Sequence, residues 1–280
     1  MRILKFYLDY ISSNAYLAWL RMPELAARHA LRVEPVPVLF AGLLEANGQL
    51  GPAEIRPKAR WMAKNNLRKA ASLGVRLRPP PSHPFNPLLA LRVSSLDLEP
   101  DLRDALVSAL FAATWSEQLD VSDPAVVKRV AAQSGVPAAE GVATRASEPE
   151  IKQRLRDQTD AAIARGVFGV PSFEIDGELF WGYDDLPYLE PFLAGEDRVD
   201  AEDAKLWGAG PPRPSAMRRR FRESAPASWQ REAEARGPGV DGKAEPGTAG
   251  RDAKPDGSDV SGGRRRDPSA RRPGHRGERP

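Results

Sequence analysis

The hydrophobic pattern divides the chain into three stretches. Ile3, Leu4, Phe6, Tyr7 and Leu8 form an apolar run of strand length, which predicts a strand from Ile3 to Tyr10. Ser12-Ser13-Asn14 follows, three residues of the kind that cap a helix. Tyr16, Leu17, Leu20, Leu25 and Ala26 then make a helical stripe, kinked at Pro23. Arg32 to Phe40 alternates and is rich in Val, so it predicts a second strand, with Pro35 and Pro37 placing it at an edge. Such a β-α-β unit makes its two strands parallel.

The middle is helical. Pro57 to Leu73, Leu98 to Gln118, Asp123 to Ser134 and Glu148 to Arg165 carry helical patterns, three of them with Pro100, Pro124 or Pro149 near the start. Pro79 to Pro87 is a proline-rich loop. Strand signals return at Ser172 to Ile175 and Glu178 to Trp181, joined by Asp176-Gly177, a hairpin turn. Asp184 or Asp185 is placed to cap a last helix through Leu186, Leu189 and Phe192. The order is β-α-β, a helical block, then β-β-α.

From Pro211 the text is Pro, Gly, Arg, Ser, Asp and Glu, too poor in large apolar residues to offset chain entropy, and it predicts a disordered tail. That tail holds 17 basic and 10 acidic residues, leaving 24 basic and 28 acidic before it. The folded part is therefore no basic nucleic-acid platform. Arg218-Arg219-Arg220 and Arg264-Arg265-Arg266 are either phosphate-binding clusters or part of a solvated extension. The expected organisation is a domain over 1–197, with a helical insertion at about 48–165, and a linker and tail over 198–280.

The chain has no cysteine. It therefore supplies no thiol nucleophile, disulfide or zinc-thiolate site of its own. The opening ten residues are too polar for a signal-peptide core, and no apolar run is long enough for a membrane span, so a cytoplasmic protein without a membrane partner is expected. His29 and His83, the histidines before the tail, show no metal-ligand spacing, and no glycine-rich phosphate loop is present.

Two places could hold chemistry. Ser12, after the first strand and at the helix start, lies where backbone N–H groups and the helix dipole stabilise an anion; it is otherwise simply an N-cap. Gly169-Val170-Pro171-Ser172 opens the late hairpin, where a proline is either cis, exposing the preceding backbone to a ligand, or an ordinary trans residue starting a strand.

Taken in order, these motifs resemble the DsbA-like thioredoxin superfamily, and within it the 2-hydroxychromene-2-carboxylate isomerases and kappa-class glutathione transferases. The residues that carry the resemblance are Phe6 to Ser12 with Tyr16-Leu17-Ala18, His83 to Pro87 with Leu91-Arg92, Gly166 to Pro171, and Phe180-Trp181-Gly182 with Asp184. It implies an α/β thioredoxin-like fold with a large helical insertion, and a homodimer. It implies an enzyme whose sulfur comes from bound glutathione, with Ser12 at the first thioredoxin cysteine position and Ala15 at the second. On this resemblance Ser12 holds the thiolate, Val170 before a cis-Pro171 pairs with the peptide, and Tyr183-Asp184 receives the γ-glutamyl group. Ionising a thiol of pKa near 8.5 at neutral pH takes roughly 1.4 to 2.7 kcal/mol, the size of one charge-assisted hydroxyl bond plus a helix N-terminus.

The implied reaction is thiolate addition to, and elimination from, a conjugated aromatic carboxylate. Lys58 and Trp61 are candidates for the substrate's carboxylate and ring, and equally for an exposed basic face. The family pattern of a small polar residue, Asp and Arg is replaced by Tyr183-Asp184-Asp185, which sets a second carboxylate beside the site. A kappa-type transferase and a non-catalytic binding protein of the same fold are the alternative readings.

Overall fold

Residues along β1 (Arg2–Leu8) alternate between two covered faces. Leu4, Phe6 and Leu8 are fully buried on one, and Tyr7 is buried on the other. The computed structural model describes residues 1–208, so the readings for the tail from Pro211 lie outside the described residues. β2 (Leu31–Pro37) pairs in parallel with β1, from Arg2↔Leu31 to Leu8↔Pro37. β3 (Ser172–Ile175) lies antiparallel on the other side of β1, and β4 (Glu178–Trp181) antiparallel to β3. The order across the mixed sheet is β2-β1-β3-β4. Pro35 and Pro37 thus lie on an edge strand, as expected. Asp176 (φ 51°) and Gly177 (φ 89°) turn the β3–β4 hairpin with two left-handed residues, as a tight hairpin requires.

The first helix departs from expectation. Instead of one kinked helix there are two, α1 (Ser13–Trp19) and α2 (Met22–His29), with Pro23 in the first turn of α2, where its missing N–H costs nothing. The second strand also stops early, at Pro37, and Phe40 begins α3 (Phe40–Ala46). The reason lies far away in sequence. Asp9 Oδ2 accepts from Phe40 N at 2.9 Å and Thr159 Oγ1 accepts from Leu39 N at 3.0 Å, capping a helix whose own flanking residues offer no cap.

The helical block contains α4 (Arg56–Ser72), α5 (Leu88–Ser94), α6 (Pro100–Trp115), α7 (Pro124–Gln133), α8 (Val142–Arg145) and α9 (Pro149–Ala164). Pro100, Pro124 and Pro149 each occupy the first turn of a helix. After the hairpin come α10 (Leu186–Leu193) and α11 (Ala201–Gly208), the latter within the span read as linker. Asp185 precedes α10 but makes no cap bond; its Oδ2 accepts from Trp181 N at 2.9 Å, bracing the turn instead.

One face of the sheet carries the larger core, where Phe6 meets Trp19 and Phe173 edge-on at 5.2 and 5.3 Å. The other face packs Tyr7, Val38, Leu43, Ala162, Val167 and Val170 beneath α3 and α9. The helical block also grips the loop after β1. Trp115 Nε1 donates to Tyr10 O at 2.9 Å, the Tyr10 hydroxyl pairs with Ser94 Oγ at 2.6 Å, and His83 Nε2 lies 3.0 Å from Ile11 O. The loop that presents Ser12 is therefore held from beneath by α5 and α6.

Candidate active site

Ser12 sits where β1 hands over to α1, in extended backbone (φ −97°, ψ 110°). Its Oγ accepts from Ala15 N at 3.1 Å and donates to Val170 O at 3.4 Å. The serine caps the helix, as its position after the first strand suggested, and it also faces the backbone before the late proline. The Val170–Pro171 bond is cis. Val170 N has no acceptor among the described residues, so this short backbone segment keeps a free donor beside the serine. Trp181 backs the segment; its indole lies against Gly169 so closely that an added Cβ would stand 2.5 Å from Nε1.

Beneath the Ser12 loop lies Asp9, completely buried. Its Oδ1 accepts from Ile11 N at 3.0 Å while Oδ2 caps α3, and its backbone carbonyl accepts from Ser12 N at 3.0 Å. Burial pushes the Asp9 carboxyl up to about 7, with the two backbone N–H groups pulling the other way. Burial likewise raises the phenols of Tyr7 and Tyr10.

A second polar group joins α1, α4 and the turn Tyr183–Asp185. Asn66 Nδ2 donates to Ser13 Oγ at 2.7 Å. Lys69 Nζ donates to Asn14 Oδ1 at 3.1 Å and to Asp184 Oδ2 at 2.7 Å, and stands 5.0 Å from the centre of the Tyr183 ring. Asp184 and Tyr183 are thereby tied to the start of α1. Lys58 and Trp61 are not: both are exposed near the beginning of α4, outside this bonded group. Lys58 shares a stripe with Met62, Asn66 and Lys69, about 12 Å along the axis from Asn66.

Sequence reading passed over Asn66, Lys69 and Asp9. For the first two a signal existed: the stripe Met62, Asn66, Lys69, Leu73 marks the inner face of α4 in an otherwise basic helix. Among the described residues, no cluster of three or more His, Asp or Glu side chains is placed to hold a metal ion, and no helix is long and apolar enough to cross a membrane.

This arrangement, a serine opening the first helix opposite a cis-proline loop on a mixed four-stranded sheet, was compared with known proteins. A model of the DSBA-like thioredoxin domain matches residues 3–194. The chain belongs to this family. Within reach of the DSBA-like fold, a 2-hydroxychromene-2-carboxylate isomerase of Sphingobium xenophagum is 29% identical over 194 residues, covering 69% of this chain and 98% of the relative. The human glutathione S-transferase kappa 1 is 23% identical over 209 residues, covering 69% of this chain and 91% of the relative. A solved 2-hydroxychromene-2-carboxylate isomerase structure superposes with a TM-score of 0.63 at 27% identity, covering 73% of this chain and 98% of that one. These relatives are enzymes, in line with the expectation from the sequence.

Proposed function

We propose that this DSBA-like protein is a glutathione-dependent isomerase of the 2-hydroxychromene-2-carboxylate type, acting in the cytoplasm on a small conjugated aromatic carboxylate. One observation carries the reading: the Ser12 hydroxyl opens the first helix against the Val170 backbone, in a chain without cysteine. The donor set fits a thiol-bearing peptide. The Ser12 bond to Val170 O is long at 3.4 Å and readily exchanged for a bond to a sulfur anion. The Ala15 N–H donated to the same oxygen polarises the hydroxyl and makes it a better donor. With only seven residues α1 has a modest dipole, so the hydroxyl contributes the larger share.

Val170 N and O are suited to pair with a peptide bond of the cofactor, and Asp184, largely exposed, with its amino group. Glutathione, when bound, supplies a nucleophile that adds to a conjugated carbon and later leaves, so that the adjoining bond turns as a single bond. Lys58 and Trp61, exposed on α4, are assigned the substrate's carboxylate and ring.

Turnover of a chromene-carboxylate with glutathione, measured for wild type and Ser12→Ala, tests this. Loss of the hydroxyl is expected to lower kcat/KM by about ten- to a hundredfold, with about 1 kcal/mol of stability lost as the helix cap goes. Unchanged turnover removes Ser12 from the mechanism.

A further inference from the structure

His83 is an exposed side chain in the proline-rich loop, and the chemistry proposed above does not use it. Its Nε2 lies 3.0 Å from the backbone oxygen of Ile11, the residue before Ser12. A carbonyl oxygen only accepts, so Nε2 carries the proton and donates. Two neighbours orient the ring for this, Trp115 at 5.6 Å and Phe85 at 6.3 Å between ring centres. Among the described residues Ile11 O has no other donor. The loop itself is held without that bond. At its start Trp115 O accepts from Arg78 N at 2.8 Å, and Pro79 O from Gln118 Nε2 at 3.2 Å. At its end Asn86 Oδ1 accepts from Leu88 N at 3.0 Å. One more exposed hydrogen bond adds little to such a frame.

What the bond does control is the peptide between Ile11 and Ser12. The N–H of that peptide donates to Asp9 O at 3.0 Å, and His83 holds its oxygen on the opposite side. Pinned at both ends, the peptide plane cannot turn, and its setting fixes φ of Ser12 at −97°. That angle aims the Ser12 hydroxyl at Val170 O. A bare Ile11 oxygen would also place negative partial charge one residue from the hydroxyl, against any anion held there. We propose that His83 is a positioning residue for Ser12. Its Nε2–H fixes the Ile11–Ser12 peptide and screens the carbonyl, so that the hydroxyl meets a sulfur anion in working orientation. This deepens the reading above and rests on it for the identity of the anion.

A chain without cysteine allows a test that needs no glutathione. Ser12→Cys puts a single thiol at this position of the full chain, and its rate of alkylation by iodoacetamide against pH gives its pKa. That value is expected below the ordinary 8.5 or so. Adding His83→Leu should raise it by about one unit and slow the reaction at neutral pH severalfold. Adding His83→Gln, whose amide N–H still reaches Ile11 O, should keep it close to the parent. Melting temperatures of the three proteins are expected within about 4 °C of one another. The buried Asp9 is common to all three, so their differences report His83 alone. A thiol pKa that ignores His83→Leu overturns the assignment, whatever happens to the melting temperature. So does a shift in His83→Gln as large as in His83→Leu, which would credit the imidazole ring and not its bond. Should His83→Leu not fold, His83→Asn, too short to reach Ile11 O, takes its place with the same expectation. A pKa that follows His83, in a protein whose wild type shows no turnover with glutathione, rejects the isomerase reading and keeps the assignment. Turnover with an unresponsive pKa does the reverse.

Discussion

Asp9 concentrates several duties in one side chain. Its two oxygens hold the backbone on either side of the site, Ile11 before Ser12 and Phe40 at the start of α3, and the group is sealed from solvent. Its carboxyl is raised to about 7 in the fold, against the ordinary 3.8, so the native state binds its proton more tightly than the unfolded chain. The stability this gives is complete below about pH 4, is lost as pH rises towards 7, and changes no further above it. Urea unfolding between pH 4 and 8 should therefore show wild type losing on the order of a few kcal/mol relative to Asp9→Asn, which cannot ionise. Parallel pH dependences in the two proteins would mean that the buried carboxyl is not the titrating group. In the sequence Asp9 reads only as a polar residue closing an apolar run. Its partners at Phe40 and Thr159's neighbour Leu39 belong to an element that local pattern does not reveal.

Among the elements, those with their own start signals were legible: the helices opened by Pro100, Pro124 and Pro149, the Asp176-Gly177 hairpin, and β1 itself. α3 was not, because Leu39 offers no capping side chain and Gly42 lowers propensity within the helix; its stop and start are written in Asp9 and Thr159. The site divides the same way. Ser12 and Val170 announce themselves by position next to strand ends, whereas which lysine of a basic helix turns inward depends on what α4 packs against. The loop before β3 permits a direct check. In Gly169→Ala the new methyl meets Trp181 ring atoms at 2.5, 3.2 and 3.3 Å, so the indole must leave its 5.0 Å contact with Phe168. A loss of about 1 to 3 kcal/mol is expected by thermal unfolding, and, on the proposed function, weaker glutathione binding as Val170 shifts. An unaltered melting temperature would show that the indole yields at no cost.

For the molecule as a whole, the sheet is assembled from the two ends of residues 1–208, with residues 38–171 intervening between β2 and β3. β1 is buried only when both halves are present, since Phe6 rests on Trp19 from one and Phe173 from the other. A chain ended at residue 166 is expected to show helical far-ultraviolet dichroism without a cooperative melt, because β1 is left with one open side and half its packing. A sharp two-state transition in that fragment would instead make the helical block self-sufficient.

The prolines of β2 have a bearing on how copies of this protein meet. Val38 N donates to Leu8 O, so alternate residues along β2 turn their amides towards β1, and the positions between them, Val33, Pro35 and Pro37, turn outward. Two of those three lack an N–H altogether. A foreign strand approaching that rim would find carbonyls with scarcely a donor to register against, so the sheet resists being lengthened there into a continuous ribbon or fibre. Self-association, where it occurs, is left to β4 or to the helices.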